Sequence, residues 1–447
     1  MTTRLFLPMI GTAALLAGAP LSAQLLPGGG GLGGVAGGVA RTVGGIAQPV
    51  LGPDSGDSGA QRQVLAGGGF DRVATLASSV AGSAETLLDL RTLRHSLLLD
   101  QHRRELDRDG AGNPVRRERL VAVEPDAASL AAAAQAGFRV IGDQREADLG
   151  MRIVTLAIPG RMAPRKALDR LRRAAPGIDA DYDHVFEPAG GALNPTASLL
   201  AAGAAGFVPT GTRIAMIDGG VASHPSMARA RIEQKGFAGP ASATGHGTAV
   251  ASLLVGDAGA FRGAARGASL FVADVYGGNP AAGSASTIVR ALGWAAGKRP
   301  RLVTISLVGP ANRAIERAIA GLRARGIMVV AAVGNDGPAA PPQYPASYDG
   351  VVAVTGVDAK GKALVEAGRA RHLDVAAPGA ELAAALPGRG YASVRGTSFA
   401  APLAAARLAA TGSLDRLAAE ARPGKGKVGR GIVCGECRVS PRSVGAR

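Results

Sequence analysis

Short apolar segments and helix-like segments alternate along the chain from about residue 210 onward. The apolar segments are rich in β-branched residues and predict strands at 213–217, 270–275, 302–307, 327–333 and 351–357. Between them, the spacing of apolar residues predicts helices, among them 248–255, 286–296 and 313–325. Strands and helices that alternate in this way form a parallel sheet covered by helices on both faces. The sequence therefore predicts an α/β fold with its functional groups at the carboxyl ends of the strands.

A different pattern precedes this region, between residues 115 and 190. Strand-like segments at 119–123, 138–141, 151–158 and 182–186 alternate with helix-like segments at 126–136 and 164–175. The order βαββαβ is that of a small ferredoxin-like α+β domain. Further upstream, the Gly-rich residues 24–60 cannot bury enough apolar surface to fold and are predicted to be a linker. Residues 61–114 are predicted to be mostly helical, with a role that the sequence does not indicate.

The first residues of the chain resemble an export signal. Arg4 precedes an apolar stretch at 5–21, and small residues at 22 and 23 suit cleavage after Ala23. We expect a secreted or periplasmic protein with no membrane span once the signal is removed, the alternative being an uncleaved anchor. In such a compartment, Cys434 and Cys437 are expected to form a structural disulfide, although a CxxC pair can also be redox-active or bind metal.

The positive charge of the chain is concentrated in its C-terminal part. The net charge is +16, and residues 190–447 hold 29 Lys and Arg against 14 Asp and Glu. A basic surface of this kind can attract anionic polymers. The basic residues are not interleaved with aromatic ones as in a nucleic-acid site, so no nucleic-acid partner is predicted. A protein that attaches to anionic surfaces, with hydrolysis secondary, remains an alternative.

Three polar residues in Gly-containing motifs lie at the predicted ends and starts of elements. Asp218 ends a strand in Ile-Asp-Gly-Gly, His246 begins a helix in Gly-His-Gly-Thr, and Ser398 begins a helix in Gly-Thr-Ser-Phe-Ala. A serine hydroxyl needs a base to become a nucleophile, and imidazole is the usual base near neutral pH. The imidazole in turn needs a carboxylate that orients it. The three residues are therefore candidates for a catalytic triad.

These motifs, in the chain order Asp, His, Ser, closely resemble those of the subtilisin-like serine proteases (subtilases, peptidase family S8). The segments at 330–338, 344–347 and 374–379 also resemble family segments, so the resemblance runs from about 213 to 410. It implies a serine endopeptidase that acts on protein or peptide substrates through an acyl-enzyme on Ser398. It also implies that Asn335 donates a hydrogen bond to the oxyanion.

The same resemblance implies a set of substrate-binding residues on two strands that flank the cleaved bond. They are Ser306, Leu307, Val308, Gly309, Ala332 and Gly334. Val308 stands where the family commonly has Gly, and is expected to narrow the pocket for the residue before the cleaved bond. Gly219 stands where the family usually has Ser or Thr, a loss that could loosen the Asp218 loop. The usual calcium loop is not indicated, so no cofactor or metal is predicted.

Subtilases are commonly preceded by a ferredoxin-like propeptide that assists folding and inhibits the enzyme. The resemblance thus implies a self-processing zymogen whose own propeptide is an intramolecular inhibitor, cut between 188 and 208; an unrelated accessory domain and a catalytically silent binding module are the alternatives. The predicted segments are a signal peptide at 1–23, a linker at 24–60, a helical region at 61–114, a propeptide at 115–190, a peptidase domain at 205–422 and a basic tail with CxxC at 423–447.

Overall fold

The structure is a computed structural model that describes residues 84–189, 193–194, 208–209 and 211–446. The predicted signal peptide, the predicted Gly-rich linker and the first part of the predicted helical region lie outside the described residues. Below, residues 84–189 are called the N-terminal part and residues 211–446 the C-terminal part.

The N-terminal part begins with a long helix and continues as an antiparallel sheet with two helices. Its elements are α1 (Ala84–Gln101), β1 (Leu106–Arg108), β2 (Pro114–Val123), α2 (Ala127–Gln135), β3 (Arg139–Glu146), β4 (Met151–Ala157), α3 (Pro164–Ala174), β5 (Asp179–His184) and β6 (Glu187–Pro188). Strands β3, β4, β2 and β5 are neighbours in that order, and each pair is antiparallel. Strand β1 pairs antiparallel with the first residues of β2. The predicted order βαββαβ is found from β2 to β5.

The C-terminal part has the alternating order that the sequence predicts. After the two-residue strand β7 (Leu193–Asn194), it consists of β8 (Arg213–Asp218), β9 (Arg231–Gly236), α4 (Gly245–Val255), β10 (Asp257–Ala258), β11 (Phe261–Arg262), β12 (Ser269–Asp274), α5 (Ala285–Gly297), β13 (Leu302–Ile305), β14 (Leu307–Val308), α6 (Arg313–Ala324), β15 (Met328–Ala332), β16 (Val351–Val357), β17 (Val375–Pro378), β18 (Leu382–Leu386), β19 (Arg389–Val394), α7 (Thr397–Thr411) and α8 (Leu414–Ala419).

Seven of these strands form one parallel sheet, in the order β17, β16, β15, β13, β8, β12 and β9. Helices α4 and α7 cover one face, where Phe399 and Leu254 pack with strand residues such as Met216. Helices α5 and α6 cover the other face, with Leu292 and Ile319 in its core. The predicted α/β fold, a parallel sheet flanked by helices, is confirmed.

The segment predicted to be a basic tail packs against this sheet. Val433, Cys434 and Cys437 belong to the core on the α7 side, and Ala376 of strand β17 bonds to the main chain of this segment. A disulfide joins Cys434 to Cys437. The tail is therefore an integral part of the C-terminal fold. In the part of the chain that the structure describes, no helix has the length and apolarity to cross a bilayer.

The antiparallel sheet of the N-terminal part has two covered faces. One face packs on its own helices, with Leu156 and Leu171 in that core. The other face packs on helices α5 and α6, and its Val121 and Met151 belong to the same core as those helices. A Cβ at Gly321 of α6 would lie only 2.6 Å from the carbonyl oxygen of Leu149, so the two parts approach to main-chain contact.

Two aspartates of strand β5 bond to the first main-chain N–H groups of these helices. The buried Asp183 accepts hydrogen bonds from the N–H (2.8 Å) and Oγ (2.9 Å) of Ser286 at the start of α5. Asp181 accepts one from the N–H of Arg313 at the start of α6 (3.1 Å). The first N–H groups of a helix lack partners within the helix and carry partial positive charge, so carboxylates stabilise them. Strand β5 thus supplies additional acceptors at the starts of helices α5 and α6, next to their N-cap residues Ser284 and Asn312.

We expect Asp183→Asn to destabilise the full chain by about 1.5–3 kcal/mol, because the variant loses a charged acceptor at a buried helix start. Thermal unfolding of the purified protein measures the effect. Asp181→Asn is the matched comparison and should cost less, because its hydrogen bond is exposed. Equal melting temperatures for the two variants would contradict the role given to burial at Asp183.

Candidate active site

Asp218 is the last residue of strand β8 and is fully buried at the carboxyl edge of the sheet. Its Oδ1 accepts hydrogen bonds from the N–H of Gly219 (2.7 Å) and from Nδ1 of His246 (2.9 Å). A carboxylate in this position fixes the imidazole so that Nδ1 carries the proton and Nε2 is the free base.

His246 is the second residue of helix α4, and the cap of that helix fixes its position. Thr244 is the N-cap, and its Oγ1 accepts a hydrogen bond from the N–H of Gly247 (2.9 Å). The imidazole lies beside the ring of Phe399, with 5.4 Å between the ring centroids. Because Phe399 follows Ser398 in the chain, this contact places the imidazole at the start of helix α7, which carries the serine.

Ser398 is fully buried in the first turn of helix α7. Its carbonyl oxygen accepts a hydrogen bond from Oγ of Ser306 (3.0 Å). Within the described chain, Oγ of Ser398, Nε2 of His246 and Oδ2 of Asp218 are buried atoms without a hydrogen-bond partner. A buried hydroxyl and a buried imidazole nitrogen without partners are costly for a purely structural site, and both atoms are available for chemistry.

Asn335 follows strand β15 and faces the start of helix α7. Its Oδ1 accepts a hydrogen bond from the N–H of Thr397 (3.0 Å), and Oγ1 of Thr397 accepts one from the N–H of Gly334 (3.1 Å). These bonds orient the carboxamide of Asn335 so that its Nδ2 donates a hydrogen bond to the carbonyl oxygen of Ala189. The candidate oxyanion donor is therefore bonded to a main-chain carbonyl of the N-terminal part.

The last described residues of the N-terminal part lie along the candidate substrate-binding strand. Strand β6 pairs antiparallel with β14, with Leu307 opposite Pro188 and Val308 opposite Glu187. The N–H of Ala189 donates to the carbonyl oxygen of Ser306 (2.7 Å). An extended segment that adds to a strand edge in this way is a common mode of peptide recognition.

Aromatic side chains contact this segment and its surroundings. A Cβ at Gly309 would lie 2.6 Å from the ring of Phe186, so the ring packs directly on this glycine. Tyr276 donates from its hydroxyl to the carbonyl oxygen of Phe186 (3.0 Å). Burial raises the pKa of Tyr276 well above its usual value, which keeps the hydroxyl protonated as a donor.

Val308 lies across from Gly334, and a Cβ at Gly334 would come within 3.3 Å of its Cγ1. Ala189 is almost fully buried in the same cluster as Val308 and as Ala332, the last residue of β15. The space between the two strands beside Ala189 is therefore small.

The family model of the subtilase family matches residues 209–418. Subtilisin Savinase of Lederbergia lenta is 33% identical over 203 residues, which are 44% of this chain and 74% of the relative. The chain belongs to the subtilase family. Subtilases are serine proteases that hydrolyse peptide bonds, and this chain is therefore a subtilisin-like serine protease.

Two further comparisons agree with this placement. An alkaline protease of Alkalihalobacillus alcalophilus is also 33% identical over 203 residues, and the chain spans only 53% of its length. The crystal structure of fervidolysin from Fervidobacterium pennivorans, described as a keratinolytic enzyme related to subtilisin, has a TM-score of 0.63. It is 18% identical and covers 76% of this chain and 62% of its own, so this likeness shows the fold.

The subtilase motifs did not reveal the residues of the N-terminal part that occupy the cleft. Phe186, Glu187 and Ala189 carry no motif, and only the structure brings them to Gly309, Val308 and Asn335. The one sequence signal was the position of the predicted cut, between 188 and 208, directly after this segment. For Gly219 the structure shows close packing rather than the loosening that the sequence suggested: a Cβ there would lie 2.4 Å from Oγ1 of Thr244.

We expect Gly219→Ser to lower kcat about 100-fold, because the new Cβ would push away Thr244 and with it the helix that carries His246. Peptide hydrolysis by the purified variant measures this. Gly390→Ser is the control, since a Cβ at Gly390 meets nothing within 4 Å. A Gly219→Ser enzyme with the kcat of the control would show that the close approach is not required.

Proposed function

We propose that the chain is a serine endopeptidase produced as a zymogen, which cuts its own N-terminal part off after Ala189. One observation carries the proposal: the main chain of Ala189 is held as a substrate would be. Its N–H donates to Ser306 and its carbonyl oxygen accepts from Nδ2 of Asn335. In the ground state of an acyl transfer, the carbonyl oxygen of the substrate lies at a preorganised hydrogen-bond donor, and the nucleophilic serine is nearby.

In the proposed reaction, Oγ of Ser398 attacks the carbonyl carbon of Ala189 while Nε2 of His246 takes the hydroxyl proton. Asp218 holds the imidazole and stabilises its charged form. Nδ2 of Asn335 donates to the oxyanion that develops, together with the main-chain N–H of Ser398. The reaction uses only side chains and main-chain donors, so we propose no cofactor.

Collapse of the tetrahedral intermediate breaks the bond between Ala189 and Gly190. His246 returns the proton to the amine of Gly190, which leaves, and Ala189 stays as an ester on Ser398. Water then attacks the ester while its proton passes to His246, and the C–O bond to the serine breaks as His246 returns that proton to Oγ of Ser398. The same steps apply to other peptides once the cleft is empty.

The N-terminal part is proposed to be an inhibitory propeptide, because it fills the cleft and covers helices α5 and α6. Export through the predicted signal peptide at 1–23 to a periplasm or the medium is part of the proposal. The disulfide between Cys434 and Cys437 supports it, since such bonds persist in oxidising compartments. Mature protein confined to the cytosol, with both thiols free, would contradict export.

We expect Ser398→Ala to lower kcat on peptides by about 10⁶-fold and to leave the precursor uncut. Gel mobility and N-terminal sequencing of the expressed protein report the cut, and a chromogenic peptide reports kcat. Because alanine fits the space of serine, the fold should persist, which circular dichroism checks. A cut precursor from the Ser398→Ala gene, expressed in a protease-deficient host, would overturn the assignment.

We expect the mature chain to begin at Gly190, and Ala189→Phe to slow self-cleavage about 10–100-fold, because the space beside Val308 is small. Val308→Gly should restore the rate in the double variant by enlarging that space. Time courses of precursor cleavage measure the rates. No rescue by Val308→Gly would show that Val308 does not limit the residue before the cut.

A further inference from the structure

The carboxylate of Asp336, next to Asn335, has no role in the proposed reaction. Its side chain is only 5% exposed, and it holds two guanidinium groups: Nη2 of Arg94 lies 2.9 Å from Oδ1, and Nε of Arg91 lies 3.2 Å from Oδ2. Burial by itself would raise the pKa of Asp336, but the charges of Arg94 and Arg91 lower it. In the intact chain, Asp336 is thus an ionised, buried carboxylate that forms ion pairs with two arginines.

Both cations come from helix α1, which precedes the proposed cut. Leu87 of the same helix covers Gly337, where a Cβ would lie 2.7 Å from the leucine side chain. In the described chain, the ion pairs of Asp336 are all to this helix. When the N-terminal part leaves, Asp336 stays behind in the cleft and loses both arginines.

The guanidinium of Arg94 also bonds to the segment in the cleft. Its Nε lies 2.5 Å from Oε2 of Glu187, whose side chain is 7% exposed. Glu187 pairs with Val308 and is the third residue before the proposed cut. One guanidinium therefore bridges the carboxylate at this substrate position and the carboxylate of Asp336.

A lysine or arginine side chain is longer than glutamate. In place of Glu187, it would bring its own charged nitrogen to the region that Arg94 occupies now, beside Asp336. A glutamate in the same place, without Arg94, would face Asp336 as a like charge. Such a like-charge contact is unfavourable, whereas a carboxylate that gains a cation is stabilised.

We propose that Asp336 is a cation-binding subsite of the mature cleft, which selects lysine or arginine as the third residue before the cleaved bond. The precursor fills the same subsite from its own helix α1. This inference rests on the proposed function, because it requires that residues 187–189 mark the path of a substrate.

The test uses the mature enzyme and four-residue p-nitroanilides that copy residues 186–189, of the form succinyl-Phe-Xaa-Pro-Ala, with Arg, Gln or Glu as Xaa. We expect kcat/KM for the Arg peptide to exceed that for the Glu peptide about tenfold or more at low salt. The ratio should fall in 1 M NaCl, because salt screens a charge pair at the edge of a cleft. In Asp336→Asn, the ratio should approach one.

Asp415→Asn is the matched control, because it removes one carboxylate whose side chain is 92% exposed and which pairs with Arg430. This variant should keep the full preference for the Arg peptide over the Glu peptide, which separates a local contact of Asp336 from an effect of net charge. A wild-type ratio near one, or an unchanged ratio in Asp336→Asn, would overturn the subsite. If Asp336→Asn fails to mature, the Arg-to-Glu ratio of the wild-type enzyme and its salt dependence still decide whether the subsite binds a cation.

The Gln peptide separates this proposal from the one on which it rests. Hydrolysis of the Gln peptide with no preference between Arg and Glu refutes the cation subsite and leaves the protease intact. No hydrolysis of any of the three peptides by a correctly matured enzyme refutes the use of residues 186–189 as a guide to substrates, and the subsite with it.

Discussion

The close approach of strand β8 to the start of helix α4 is the constraint on which the catalytic geometry depends. A hydrogen bond of 2.9 Å between Asp218 and His246 joins two short side chains, so the main chains that carry them must nearly touch. A Cβ at Gly247 would lie 2.3 Å from the carbonyl oxygen of Gly219, which shows how little space separates them. The site is thus assembled by main-chain packing, and the side chains complete it.

A small number of charged side chains at fixed positions also determines how the N-terminal part binds to the C-terminal part. The C-terminal part carries most of the excess positive charge, yet the polar contacts between the parts are made by individual groups of both signs. Asp181 and Asp183 bond to main-chain N–H groups at two helix starts, and arginines of helix α1 bond to a carboxylate of the C-terminal part. Docking therefore requires carboxylates and guanidiniums at fixed positions, which an unrelated acidic protein would not provide.

Periodic segments were predictable from the sequence, whereas contacts between distant segments were not. The predicted helix at 164–175 and strand at 151–158 match α3 and β4 within a residue, because their apolar spacing is regular. The sequence predicts the last strand at 182–186, whereas strand β5 begins at Asp179. Alternate residues of its first part are aspartates, which are uncommon in strands; Asp181 and Asp183 bond to the starts of the neighbouring helices. The family motifs located the triad candidates, but Arg94 and Asp336 lie 242 residues apart and no local pattern joins them.

The pairing of Glu187 with Arg94 bears on how the proposed propeptide leaves. While helix α1 is in place, Arg94 lies between two carboxylates and stabilises both. If the helix moves away alone, Glu187 and Asp336 are left as facing like charges without Arg94 between them, which weakens the binding of strand β6. Helix and strand are therefore coupled through Arg94. If the N-terminal part is the inhibitor that we propose, this coupling favours inhibition by the intact N-terminal part over inhibition by a fragment that lacks helix α1.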